Sequence, residues 1–258
     1  MSFRCFLAVA AALLLFQGPL TIRAAAAAPL FHTCSNAAKN STASGRYDVA
    51  LSSLLGYLRD QTPRNDGFAL GSLGSSLRDR PYGVALCRGD ASAADCRSCV
   101  GNATAEILRR CPSDKSAAIW YDGCTVRYSD SDFFGRVDDR VRFYLINTAN
   151  ASDAASFDGK LRELMGRLAR EAAYVAPRMF AEGVMELAAG ASEEEEKKLY
   201  GLVECSRDLG SGECKKCVGE AIGQLPRCCG GKVGGQVVGG SCRIRYEVYP
   251  FLAAGFKS

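Results

Sequence analysis

Cys87-Arg88-Gly89-Asp90-Ala91-Ser92-Ala93-Ala94-Asp95-Cys96-Arg97-Ser98-Cys99 returns 118 residues later as Cys205-Ser206-Arg207-Asp208-Leu209-Gly210-Ser211-Gly212-Glu213-Cys214-Lys215-Lys216-Cys217. Both stretches read C-x8-C-x2-C. The match continues outward, with Cys111 and Cys124 recurring at the same offset as Cys229 and Cys242. Five coincidences in one register mark a duplicated, cysteine-rich module. Tyr82-Gly83 and Arg127-Tyr128 recur as Tyr200-Gly201 and Arg245-Tyr246, so the fold is repeated and not the cysteines alone.

Upstream, Tyr47, Leu51, Leu54 and Leu58 step by 4, 3 and 4, and Phe157, Leu161, Leu164 and Leu168 repeat those steps 110 residues later. Each copy therefore opens with an amphipathic helix. The two offsets differ by eight, which lengthens the connection from this helix to the first aligned cysteine in copy two. That connection holds Glu193-Glu194-Glu195-Glu196-Lys197-Lys198, a run expected as a solvated helix with Glu193/Lys197 and Glu194/Lys198 at i,i+4 spacing. A loop is expected next in each copy, then a second helix launched around C-x2-C, such as residues 99–110.

Strands follow. Residues 117–128 are rich in β-formers. In residues 241–249, Cys242, Ile244, Tyr246 and Val248 alternate with Arg243, Arg245, Glu247 and Tyr249. Residues 30–33 and 141–146 are expected as the opening strands of the two copies. Between Gly230 and Gly240 six glycines suit a wide hairpin connection. No strand, glycine-rich turn and helix occur there in that order, so a phosphate cradle is not expected. The fold class is α+β: two tandem disulfide-stapled modules, each with two helices packed on an antiparallel sheet. The copies span 29–135 and 136–252, the second including the connecting strand.

At the N-terminus Arg4 precedes an apolar run over residues 6–16, and alanines at 24–28 offer a cleavage site. Residues 1–28 read as a secretory signal peptide. Cys5 leaves with it, and twelve cysteines remain for an oxidising route, which favours disulfides over zinc. No metal or cofactor is expected. No later segment approaches ~20 continuous apolar residues, so no membrane span is expected. Without Arg4 and Arg23 the 32 basic residues fall to 30 against 28 acidic ones, a charge of about +2. That balance lacks the basic excess of a nucleic-acid binder.

The single histidine, His32, sits beside the expected opening strand, and no Ser-His-Asp or Cys-His set can be assembled from it. Asp138-Asp139 falls in the crossing segment with no sign of the environment that splits a carboxylate pair into acid and base. A non-enzyme is expected.

The C-x8-C-x2-C cores, Trp120-Tyr121-Asp122-Gly123-Cys124 and Tyr246-Glu247-Val248-Tyr249-Pro250 resemble the plant cysteine-rich repeat secretory proteins, built from ginkbilobin-like, salt-stress-response/antifungal domains. The resemblance covers nearly all of residues 30–251. That family includes receptor kinases and membrane-anchored plasmodesmal proteins. This chain stops eight residues after Pro250, so it looks like the free form secreted to the apoplast. The resemblance implies Cys34–Cys111, Cys87–Cys96 and Cys99–Cys124 in copy one, where sequence alone allows fifteen pairings. In copy two it implies Cys205–Cys214 and Cys217–Cys242, and leaves Cys228 and Cys229 bridged, reduced or paired between molecules.

Ginkbilobin-type members imply antifungal activity through mannose, held by an Asn after the first cysteine, an Arg six before the last and a Glu five after it. Here copy one carries Ser35, Ala118 and Ser129. Copy two keeps Glu247, has Gln236 at the Arg position, and places the Asn position near Thr148. Gln236 donates and accepts hydrogen bonds but lacks the charge and fork of Arg. Glu247 is alternatively a surface ion-pair partner of Arg243 or Arg245. The expected partners are cell-wall glycans or, in the competing expectation, receptor ectodomains and microbial secreted proteins. Asn40, Asn102 and Asn150 head glycosylation sequons.

Overall fold

The computed structural model describes residues 28–35, 45–187 and 198–253. Copy one runs β1 (Phe31–Cys34), α1 (Gly45–Gln61), β2 (Phe68–Ser72), β3 (Tyr82–Cys87), α2 (Ala93–Arg110), β4 (Ala117–Trp120) and β5 (Cys124–Ser129). Copy two runs β6 (Arg142–Ile146), α3 (Ala154–Tyr174), β7 (Phe180–Glu186), β8 (Lys198–Cys205), α4 (Ser211–Cys228), β9 (Gly235–Gly239) and β10 (Cys242–Glu247). The sheets have orders β1-β4-β5-β3-β2 and β6-β9-β10-β8-β7, antiparallel throughout. This is the α+β architecture expected, with both opening strands in place.

The helices form for the local reasons visible in the chain. Along α1, Tyr47, Leu51, Leu54 and Leu58 fall on one face and are fully buried against the sheet. The Ser92 hydroxyl accepts from the Asp95 N–H at 3.1 Å and so caps α2, while Asp153 accepts from the Ser156 N–H at 3.0 Å and caps α3. The repeated Tyr-Gly pair also has a packing cause. A Cβ on Gly201 would lie 2.5 Å from Met165 Cε and 2.9 Å from Leu164 Cδ2, and one on Gly83 would lie 3.0 Å from Leu54 and Leu58. Glycine lets each first helix settle onto its sheet.

Four expectations change. The loop expected after each first helix contains two further strands, β2 with β3 and β7 with β8. Residues 235–239, expected inside a glycine-rich hairpin connection, form β9, held between β6 and β10. Val237 and Val238 fill opposite faces of this strand, one towards the helices and one towards copy one. Lys198 belongs to β8 rather than a charged helix, because it pairs with Glu186 across the ladder with its Nζ 3.6 Å away; Glu193 to Lys197 lie outside the described residues. The fourth concerns Arg243, Arg245 and Glu247. Their face is not a solvent face but is covered by copy one.

Each sheet carries its helices on one side, and the two remaining sides meet. Ala118, Trp120 and Val238 form a shared apolar cluster, flanked by Val141 and Phe143. Trp120 is 2 % exposed, donates from its indole N–H to the Gly239 carbonyl at 3.1 Å, and meets Phe143 edge-on with 5.6 Å between ring centroids. Beside this cluster lies a polar lock. Glu204, 2 % exposed, accepts the Gly89 N–H at 2.8 Å and is held by Arg243 at 2.6 Å. Arg243 also donates to the Asp122 carbonyl at 2.8 Å. The charges are thus buried as a hydrogen-bonded pair, the arrangement that offsets their desolvation.

Candidate functional site

Six disulfides close among the described cysteines. Cys34–Cys111, Cys87–Cys96, Cys99–Cys124, Cys205–Cys214 and Cys217–Cys242 take the implied pairing, and Cys228 bonds its neighbour Cys229. Among the described residues the only cluster of metal-ligating types is Cys34, Cys111 and Asp114, whose two sulfurs are already bonded to each other. His32 lies on β1 with its Nδ1 3.4 Å from Arg110.

The copy-two positions that the resemblance singles out gather at one end of the β6, β9 and β10 ladder. Here register corrects the residue count. Cys34 faces Ala117, and Ile146 faces Gly235, so Ile146 stands where copy one has its first cysteine. The Ser35 N–H donates to Ser116 O at 2.8 Å, and the Asn147 N–H makes the matching bond to Gly234 O at 3.0 Å. Asn147 therefore occupies the position after the first cysteine. Thr148 is one step further on, exposed, with its carbonyl accepting from Lys232 Nζ at 3.2 Å. The signal that finds Asn147 is the offset of 112 between opening strands, intermediate between the 110 of the first helices and the 118 of the cysteines.

Glu247 ends β10. A Cβ on Gly234 would lie 1.8 Å from Glu247 Oε2 and 3.3 Å from Asn147 Cβ, so the carboxylate and the amide side chain flank this one glycine. Gln236 is the cross-strand neighbour of Arg245 on the same face. Glu247 Oε1 is 3.5 Å from Arg245 Nη2, while Oε2 is buried with no hydrogen-bond donor. Arg245 in turn donates to Asp122 Oδ1 at 3.0 Å and lies over the Phe251 ring at 4.2 Å. Gln236 is 8 % exposed and Glu247 6 %, whereas Asn147 is half-buried. Arg245 and Asp122 complete this cluster, and neither belongs to the three-position pattern.

The equivalent place in copy one is open. Ser35, Ala118 and Ser129 line a recess of about 200 Å³ with Arg127, Phe133, Asp138 and Arg140. Arg127 is 5 % exposed and lies over the Phe133 ring at 4.4 Å. Its Nη1 donates to Ser241 Oγ at 3.4 Å, and its Nη2 has no hydrogen-bond partner. Burial lowers its pKa, against the opposing pull of Asp208 and Asp138.

Of the sequon asparagines, Asn102 is exposed on α2, and Asn150 is exposed with its Oδ1 2.7 Å from Lys232 Nζ. Asn40 lies outside the described residues, as does all but the last residue of the expected signal peptide. No helix among the described residues is long and apolar enough to cross a membrane.

Residues 33–131 and 146–249 each match the salt stress response/antifungal family. An antimicrobial ginkbilobin-2-like protein of Castanea crenata is 45% identical over 226 residues, covering 88% of this chain and 90% of its own. Cysteine-rich repeat secretory protein 38 of Arabidopsis thaliana is 44% identical over 224 residues, covering 86% and 85%. The tandem DUF26 ectodomain of the A. thaliana cysteine-rich receptor-like protein PDLP5 superposes with a TM-score of 0.68 at 24% identity, over 86% of this chain and 99% of that one. Duplicated sheets, repeated bridges and these matches agree: the chain belongs to the salt stress response/antifungal family of secreted, cysteine-rich proteins, with two copies of the domain in tandem.

Proposed function

We propose that this chain is an apoplastic defence or stress-response protein, not an enzyme, that binds mannose-type glycans of fungal walls through its second copy. The observation that carries this reading is the convergence of Asn147 and Glu247 on Gly234, with Gln236 on the adjoining strand. Sugar hydroxyls are recognised by directional donors and acceptors on a rigid frame. Glu247 Oε2 is an acceptor without a protein donor, the role a sugar hydroxyl fills. Asn147 and Gln236 supply amide donors. Asn102 and Asn150 are exposed enough to carry N-linked glycans.

A second reading, docking of a receptor ectodomain or a microbial secreted protein without lectin activity, is favoured by the burial of Gln236 and Glu247. Titration of the oxidised chain from residue 29 onward against yeast mannan separates the two. On the lectin reading, binding is competed by free mannose and weakened about tenfold or more in Asn147→Ala and Glu247→Ala, since each removes a hydrogen bond to the sugar. If folded variants bind as tightly as the parent, or the parent binds no mannan, the glycan site is rejected in favour of the protein-docking reading.

A further inference from the structure

The Cys228–Cys229 bridge differs in kind from the other five. Those join residues 9, 25 or 77 positions apart and tie helices to strands. This one spans a single peptide bond and ties no element to another. Its opening therefore releases no strand and no helix. Loop closure, the source of a disulfide's stabilisation in the chain-entropy description, is almost absent.

Its surroundings suit exchange. Cys228 is half-exposed at the end of α4, as are Cys34 and Cys99, whereas both cysteines of Cys87–Cys96, Cys205–Cys214 and Cys217–Cys242 are buried. What sets Cys228–Cys229 apart from the two other half-exposed bridges is that it ties no element to another. Cys229 lines a recess of about 210 Å³ between α3 and α4, with Leu161, Ile222, Leu225 and Pro226 as its apolar wall, Arg162 beside them, and Asp158 opposing that charge while its Oδ1 accepts from the Gly231 N–H at 3.1 Å. Arg227 immediately precedes the pair and is exposed. Cationic side chains near a cysteine favour its thiolate, which helps it leave. The chain beyond Cys229 leads to the candidate glycan site: the Lys232 N–H donates to Cys229 O at 3.0 Å, and Gly234 follows two residues later.

We propose that Cys228–Cys229 is a reversible thiol-exchange site, opened by small extracellular thiols under conditions that leave the other five bridges closed. The thiolate attacks Cys228 Sγ, forming a mixed disulfide and breaking the bond to Cys229, which leaves as a thiolate and takes up a proton. A second thiol attacks the mixed disulfide, releasing a small-molecule disulfide and the Cys228 thiol. Two electrons and two protons enter the protein, and two small thiols are oxidised. Excess small-molecule disulfide reverses both steps.

The test is a titration of the oxidised protein in glutathione buffers of graded reduced-to-oxidised ratio, followed by alkylation and peptide mapping. Cys228 and Cys229 are expected to label at a reductant level at least about tenfold below that needed for any other pair, since a bridge that closes no loop and holds no element is the more reducible one. Six bridges opening together, or this one opening last, overturns the proposal. A Cys228→Ser/Cys229→Ser chain reads the same point without redox chemistry. It should fold with a Tm within about 2 °C of the parent. Failure to fold, or a large loss of Tm, would make the bridge structural and overturn the proposal as well. Neither measurement depends on mannan binding.

Discussion

Copies one and two share sheet order, helix placement and two bridges, but they secure the edge of the sheet in different ways. In copy one, Cys34–Cys111 joins β1 to the end of α2 across 77 positions. In copy two, Ile146 stands in the register of Cys34, so Cys229, the counterpart of Cys111, has lost its partner and bonds Cys228 instead. What holds β6 is a longer backbone ladder. Beyond the strand, Asn147 N–H donates to Gly234 O, Val233 N–H to Ala149 O, and Ala151 N–H to Gly231 O. Phe143 adds packing against Phe31 and Trp120. A covalent staple can be dispensed with where backbone pairing continues past the strand and the other copy supplies an apolar wall.

Removing each bridge in turn breaks that comparison most directly. Replacing Cys34 and Cys111 by Ala frees a loop of 77 positions, and the loop-entropy relation gives a loss of about 4–5 kcal/mol. Replacing Cys228 and Cys229 should cost less than about 1 kcal/mol, because almost no loop is released. Denaturant unfolding of the two double variants measures the contrast. Equal losses would show that the vicinal bridge holds β6 after all.

The outer faces of the two sheets differ as well. At the centre of the interface copy one offers Val84, Leu86, Ala118 and Trp120, with Thr125 and the charged Arg127 beside them, while copy two answers with Glu204, Gln236 and Arg243 beside Val238. Glu204 has Leu86 as its counterpart at the 118-residue offset. Glu204→Ala strands a buried Arg243 and should cost about 3–5 kcal/mol, whereas Glu204→Leu combined with Arg243→Met should recover most of the loss. Stability from denaturant unfolding decides. A double variant as unstable as the single one would show that Arg243 acts chiefly through Asp122.

This difference explains what could be read from the chain. Helices, opening strands and the repeated cysteines were legible because each is a local period or a fixed offset. β2, β3, β7 and β8 were hidden because each contains glycine, β3 and β8 are covered on both faces over much of their length, and the edge strands β2 and β7 bury only Ala69 and Phe180 with Ala181. Simple two-fold alternation then fades. Arg243, Arg245 and Glu247 looked solvent-facing because complementary charge from another domain leaves no trace in the alternation of a single strand. Asn147 was displaced by one position because the offset changes between the first helix and the first cysteine. Arg127 was legible only as half of a repeated Arg-Tyr pair. Its burial depends on Asp138, Asp208 and Ser241, all from copy two.

The smallest expected effect also separates the copies. Glu182 on β7 has Leu70 on β2 as its counterpart, since Gly183 and Gly71 pair with Gly201 and Gly83 respectively. Glu182 Oε2 is buried without a hydrogen-bond partner, and burial, assisted by Asp90 and opposed by Arg88, pushes its pKa up to about 7. A carboxyl raised in the fold binds its proton more tightly than in the unfolded chain. Its contribution to stability is therefore complete below the ordinary glutamate range and is lost as pH rises through about 7. Solvent screening at this half-buried edge holds the change to about 1 kcal/mol. Unfolding free energies at pH 5 and pH 8 should differ by that much more in the parent than in Glu182→Gln, whose side chain has no proton to lose. An identical pH dependence in the variant would clear Glu182, and the interdomain edge would then owe its pH response, if any, to other groups.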